Sequence, residues 1–232
     1  MHMSQSRDVV IIGAGGFGLE ALQYARDAHV QGWPYRVTGF IDDEMQAGIE
    51  IEDGVRVMGT TDDEVLMAGQ VIIAVGDPSV REALAAQVHG SGGRLVTLVH
   101  PSAYVAPSAR LGAGSLLCPF SMVGVRAVVG QNVAMNVFAS VGHEASVGNH
   151  TVLSPYSAML GRTCIGARCY LATQATVAPG ITIGSQSKVS AGSVVMRDAA
   201  PGSMLAGNPA KGRVMFRVEG ATGQSAQSED HE

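Results

Sequence analysis

Apolar and polar positions along the first ninety residues follow two alternating periods. Asp8-Val9-Val10-Ile11-Ile12 is a short apolar run closed by Gly13, the pattern of a buried parallel strand. From Phe17 to His29 the apolar residues Leu19, Leu22 and Ala25 fall at helical spacing. Tyr35 to Ile41 reads as a second strand, closed by Asp42-Asp43. Val71 to Val75 reads as a third, and Pro78 to Val88 as a second helix. These βαβ units predict a small right-handed parallel sheet over residues 1–94, half of a Rossmann-like α/β domain.

From residue 95 the helical period disappears. Every sixth residue from Val99, through Val105, Leu111 and Leu117 to Val195, is aliphatic, seventeen positions without a slip. Chance gives such a run a probability on the order of 10⁻⁸, so it is a repeat. Four places after each aliphatic stands a small residue, as in Ala103, Ser115, Ala127 and Ala175, with Val133 and Ile181 as exceptions. Glycine often follows the aliphatic directly, as at Gly112, Gly130, Gly148, Gly166 and Gly184. Six residues make a short strand and a tight turn, and three such units close a triangular coil. The aliphatic points inward, the small residue fits beside it, and glycine is expected to ease the corner. Residues 95–199 therefore predict an all-β parallel β-helix of five to six coils. A prism with flat faces packs naturally about a three-fold axis, which predicts a homotrimer. Residues 200–218 form a closing loop with a last short element from Arg213 to Val218. Residues 219–232, polar and acidic, read as a disordered tail.

Composition fits this picture. Glycine is plentiful (30 residues) and aromatics are few (5%), as a narrow, regular core requires. A net charge of −5 argues against nucleic acid as a partner. No apolar run reaches the roughly 20 residues of a membrane span, and the polar start MHMSQSRD carries no signal peptide. The expectation is a cytoplasmic protein that does not insert into a membrane. Cys118, Cys164 and Cys169 form no zinc-type pair and are expected to be buried free thiols.

Two clusters carry chemistry. Gly13-Ala14-Gly15-Gly16-Phe17-Gly18 follows a strand and opens a helix, where backbone N–H groups face a phosphate. Asp42, at the end of the next strand, is placed to accept hydrogen bonds from a ribose or base. The motif also suits NAD and an oxidoreductase, although a half-sized sheet fits a mononucleotide attached to something else better. The second cluster is Val141-Gly142-His143-Glu144. Val141 is in register, so His143 points outward from the prism, where it is available as a general base. Glu144 is placed to orient it. Asn136 falls about one unit back, in reach of the same interface. A non-catalytic scaffold with a nucleotide half-domain is a further alternative.

Gly-Ala-Gly-Gly-Phe-Gly at the start, Gly-Phe-Ile-Asp-Asp at 39–43, Val-Gly-His-Glu at 141–144, Ser-Ala-Gly-Ser-Val-Val at 190–195 and Gly-Asn-Pro-Ala-Lys at 207–211 occur in this order. Together they resemble the sugar O-acyltransferase family, over nearly the whole chain. That family includes sialic acid O-acetyltransferases and the N-acetyltransferases of UDP-, dTDP- and GDP-linked 4-amino-sugars. The resemblance implies a left-handed coil, a trimer, and acetyl-CoA as cosubstrate in a groove between neighbouring coils, with no metal. It implies that Gly13, Gly15, Gly16, Phe17, Asp42 and Asp43 contact the nucleotide-sugar, with Ala74, Gly76 and Arg81 completing that pocket. His143 becomes the base, supported by Glu144 and Asn136. Gly161, Ala191, Gly192, Pro209 and Lys211 line the coenzyme groove. Many members carry a second histidine where this chain has Val152; His150, two residues earlier, is expected to face elsewhere.

Overall fold

The structure is a computed structural model and describes residues 7–63 and 67–218. The expected tail from 219 lies outside the described residues. The N-terminal part is a six-stranded sheet of β1 (Arg7–Ile12), β2 (Tyr35–Ile41), β3 (Glu50–Glu52), β4 (Val55–Gly59), β5 (Gln70–Ile73) and β6 (Arg94–Leu95). They run in the order β3-β4-β2-β1-β5-β6, parallel except for the β3–β4 hairpin. The hairpin was not legible as strands: β3 is Glu-rich and mostly exposed, and β4, though it alternates and buries Val57, is only five residues long. Helices α1 (Gly16–Val30) and α2 (Pro78–Gly90) cover the sheet.

The rest of the chain is a parallel β-helix. Its first face stacks the two-residue strands Leu98–Val99, Leu116–Leu117, Ala134–Met135, Val152–Leu153, Tyr170–Leu171 and Lys188–Val189. The second face carries Tyr104–Val105 through Ser140–Val141 to Val194–Val195, and the third Arg110–Leu111 through Ser146–Val147 to Thr182–Ile183. Each strand pairs with the one eighteen residues on, as Ser140 with Ala158 and Val141 with Met159. The second residue of each strand enters the prism. Leu117, Val123, Met135, Val141, Leu153, Leu171 and Val177 are all fully buried there. The small residues are inside too: Ser115, Ala127, Ala139, Thr151, Cys169 and Ala175 are shut from solvent. Their hydroxyls bond the coil wall, as Thr151 Oγ1 donates to Gly166 O (3.0 Å) and accepts from Cys169 N (3.1 Å).

Glycine's part at the corners differs from the expectation. The left-handed backbone lies three places after the aliphatic, at every sixth residue from Gly114 to Gly192, and eleven of these fourteen are not glycine. Phe120, Arg126, Phe138, Glu144 and His150 are among them, with φ near +60°. The glycines directly after the aliphatic serve close approach instead. They fill the whole column between third and first faces, where a Cβ on Gly130 would lie 2.8 Å from Asn149 N and one on Gly166 2.7 Å from Ser185 Cα. At the second-to-third corner Gly124 and Gly142 are crowded in the same way, a Cβ on Gly142 lying 2.7 Å from Leu160 C, while the column also carries Leu160 and Met196. The first-to-second corner has no glycine in that column.

The N-terminal part lies on the first face. Leu22 and Ala25 of α1 share a core with Leu98, Leu116 and Cys118. Trp33 Nε1 donates to Thr97 O (3.2 Å), and Arg168 pairs with Glu82 (2.8 Å). Among the thiols, Cys118 and Cys169 are buried but Cys164 is exposed, because it takes the outward position of its strand, before Ile165. Among the described residues no helix is long and apolar enough to cross a membrane.

Candidate active site

Two groups of residues face outward at opposite margins of the second face. The first is a cleft between the N-terminal part and the corner joining first and second faces. A cavity of about 250 Å³ is lined by Gly16, Phe17, Glu20, Gly76, Asn136, Val152, Ser154 and Tyr170. A second, of about 420 Å³, continues past Gly76, Asp77 and Tyr170 to Lys188 and Ser190. Two helices begin at this cleft, with opposite electrostatic consequences. No side chain caps α1, whose N-cap is Gly15, so its first-turn N–H groups are open to an anion. Asp77 caps α2, accepting from Ser79 N (2.8 Å) and Val80 N (3.1 Å), and so neutralises that end with its own carboxylate. The Ser79 hydroxyl, and the two backbone N–H groups after it, hold the Asp77 carboxyl below its ordinary range.

Of the residues expected on the nucleotide side, Gly15, Gly16 and Gly76 are exposed at this cleft and Phe17 is half-buried. The others build the loop from beneath. Gly13 has φ +96°, and a Cβ on it would lie 2.9 Å from Ala74 O, in the buried floor. Asp42 accepts from Ala14 N (2.7 Å), Glu44 N (2.9 Å) and Met45 N (3.0 Å). That carboxylate, which a dinucleotide site would turn to a ribose, here holds the glycine turn. Asp43 is bound to Thr61 N (2.8 Å) and its hydroxyl.

Arg81 corrects the sequence reading. It is fully buried, its guanidinium donating to Ile73 O (2.7 Å), Val75 O (3.0 Å), Asn132 O (3.0 Å) and Asn132 Oδ1 (2.5 Å). It is a bolt between the β5–α2 turn and the coils, not a pocket residue. Burial lowers its pKa to about 9. His150 stands on the far side of this bolt, its Nδ1 3.1 Å from Asn132 Nδ2, and burial lowers its pKa. It faces the third-to-first corner, away from the cleft that Val152 lines.

The second group is at the corner joining second and third faces. His143 is 57% exposed, and its Nδ1 lies 3.3 Å from Glu144 Oε2. Glu144 is anchored in turn by Arg126, at 2.7 Å. Arg126, and after it His143, hold the Glu144 carboxyl below the usual carboxylate range. In the neutral ring an ionised acceptor takes the proton on Nδ1, and Nε2 then carries the lone pair. The ring lies over Gly161, eighteen residues on and so one coil away: a Cβ there would come within 2.5 Å of His143 Cε1. Arg126, one coil before Glu144, was missed in sequence; reading the chain in steps of eighteen finds it, as it finds Ser154 beside Asn136.

Within one chain, then, Asn136 is not beside His143; the width of the second face separates them. The expected coenzyme residues divide the same way. Gly161 lies with His143, and Ala191 and Gly192 are exposed on the Asn136 corner. Pro209 and Lys211 line a cavity of about 750 Å³ with Val195, Met196 and Arg197 at the end of the stack.

A nucleotide-type glycine turn on a hexapeptide coil with an outward histidine defines an acyltransferase of the sugar-modifying class. Comparison with known proteins agrees. Residues 8–88 match the family model of the PglD N-terminal domain. Perosamine N-acetyltransferase (PerB) from Caulobacter crescentus, solved with CoA and GDP-perosamine, superposes with a TM-score of 0.81 at 31% identity, over 89% of this chain and 97% of that one. A histidine-to-alanine variant of the same enzyme has been solved with the same two ligands. The acetyltransferase domain of PglB from Neisseria gonorrhoeae, with acetyl coenzyme A, gives 0.79 at 30% identity over 89% and 98%. WeeI from Acinetobacter baumannii gives 0.79 at 25% over 88% and 99%. The chain belongs to the hexapeptide-repeat sugar acetyltransferases, which draw their acetyl group from acetyl-CoA.

Proposed function

We propose that this enzyme acetylates the amino group of a nucleotide-linked 4-amino-sugar, by direct transfer from acetyl-CoA with His143 as general base. The observation that carries the reading is the chain Arg126–Glu144–His143, which sets an exposed imidazole with its Nε2 over Gly161. The phosphates lie at the open N-terminus of α1, against Gly15, Gly16 and Phe17, with Gly76 opposite. Gly13, Asp42, Asp43 and Ala74 set the shape of that turn. The amine attacks the thioester carbonyl, His143 takes its proton, and the thiolate of CoA departs. The Gly161 N–H stabilises the oxyanion as it forms. The thioester is already activated, so no covalent enzyme intermediate is required.

The two groups lie on opposite margins of the second face, so the reaction needs two copies of the chain. A homotrimer brings the His143 margin of one protomer to the Asn136 cleft of its neighbour. Exposed apolar residues favour this: Tyr104 and Met122 on the second face, Phe120, Phe138 and Tyr156 on one margin, Val125 and Leu160 on the other. The three aromatics stack, with centroids 5.0 and 4.8 Å apart. Coenzyme then runs between Gly161 of one copy and Ala191, Gly192, Pro209 and Lys211 of the next. Acetyl-CoA and nucleotide-sugars are both cytoplasmic metabolites, which places the reaction in the cytoplasm.

The test is CoA release with UDP-, dTDP- and GDP-linked 4-amino-sugars. Transfer to at least one is expected, and His143→Ala lowers turnover by about 10²–10⁴-fold with the fold unchanged. Near-wild-type turnover in that variant removes the histidine from its role; no transfer to any amine removes the acceptor class.

A further inference from the structure

The carboxylate of Glu20 has no counterpart in the mechanism above. It lies on α1, one helical turn beyond Gly16, and lines the same 250 Å³ cavity as Asn136, Ser154 and Tyr170. Among the described residues no Lys, Arg or His stands within ion-pair reach of it. The titratable groups nearest it are neutral. Tyr24, on the next turn of α1, is kept protonated by burial, then by Cys118 and by Glu20 itself. The Cys118 thiol is pushed up to about 12, chiefly by burial. The nearby guanidinium of Arg81 is sealed behind the cleft by its own four acceptors. The cavity thus has an anion-accepting end, at the bare start of α1, and, about 6 Å along the helix, a carboxylate with no cationic partner, its neighbour being the Tyr24 hydroxyl.

A ligand that complements both ends carries phosphate at one point and a cation roughly one sugar ring away. A hexose linked through its anomeric oxygen to a diphosphate, with an ammonium at position 4, has that layout. We propose that Glu20 selects amine-bearing over hydroxyl-bearing sugars by pairing with the sugar ammonium, with Asn136, Ser154 and Tyr170 completing the hydrogen bonds around it. This rests on the nucleotide-sugar reading of the cleft and goes beyond it by assigning the choice of amine to one residue. A charge-assisted bond to an ammonium is about twice as strong as one to a hydroxyl. An amine held as ammonium loses one proton to solvent before it attacks, and the second, shed as the new C–N bond forms, goes to His143.

Binding without acetyl-CoA separates the two ideas. The full chain and its Glu20→Gln variant are titrated calorimetrically at pH 7. The probes are UDP-, dTDP- and GDP-linked 4-amino-4,6-dideoxyhexoses and their 4-hydroxy counterparts. The wild type is expected to prefer the amine of its own nucleotide by about tenfold, and Glu20→Gln to abolish that preference by weakening the amine alone. A preference that survives in Glu20→Gln, or an equal loss for amine and hydroxyl sugars, overturns the role of Glu20 and leaves the nucleotide-sugar reading standing. Failure of every probe to bind the wild type overturns that reading, and this proposal with it.

Discussion

Gly161→Ala is the sharpest perturbation the site offers. Gly161 is not in the left-handed region, so alanine suits its backbone. The new methyl, however, would lie 2.5 Å from Cε1 and 2.8 Å from Cδ2 of His143, and nearer still to Nε2. Ordinary contact begins near 3.4 Å. The ring must therefore retreat by about 1 Å, and its exposure gives it room to do so. A displacement of that size at a reacting group costs about 10²-fold in rate. The expected result is turnover about a hundredfold lower by CoA release, with melting temperature within a few degrees of the parent. Most of the loss in kcat acts through the imidazole, so in a His143→Ala background the same change should lower kcat little further, any effect of the methyl on the coenzyme path falling on the KM for acetyl-CoA. Wild-type turnover in Gly161→Ala, or an undiminished loss in the double variant, refutes the placement of the ring as the base over Gly161.

Arg81→Met should destabilise the fold by about 3 kcal/mol or more in urea titration, because three carbonyls and an amide oxygen lose a buried donor. His150 has a folded pKa below its ordinary 6.5, so the unfolded chain takes up the proton first. Stability is expected to fall as pH drops below about 6.5, and the slope between pH 7 and 5 to flatten in His150→Gln, read by denaturant midpoints. Of the three thiols, only exposed Cys164 should react quickly with an aromatic disulfide at pH 8. Burial raises Cys118 to about 12 and Cys169 to about 11, so Cys164→Ser should abolish the fast phase.

The coil was legible because its physics is periodic. One inward aliphatic per six residues is a demand that Val99 to Val195 meet without exception, and all but Val99, Val105 and Leu111 of the first coil are buried. The corner glycines misled because two different constraints, a left-handed φ and contact between coils, both favour residues without a Cβ. Only coordinates separate Gly130, crowded by Asn149, from Asn132, which bends the chain with a side chain in place. For the site, motif order located His143, Glu144 and the glycine turn. Arg81 could not be placed, since a helix-borne arginine near a glycine loop looks alike whether it faces a ligand or turns inward to carbonyls. Asn136 failed for a simpler reason: seven residues in a three-sided coil carry the chain around a corner and across a face.

The last strand reverses direction. Ser203–Ala206 continues the first face in parallel and sets Leu205 into the mouth of the prism, but Lys211–Val214 folds back antiparallel upon it. A stack of like-directed strands is a template on which another molecule's first coil can seat, and so on without limit. Ending in the opposite sense removes that match at one end. Chains cut after Asp198 would regain it, and head-to-tail fibres should then grow from a protein whose own coils are otherwise unchanged.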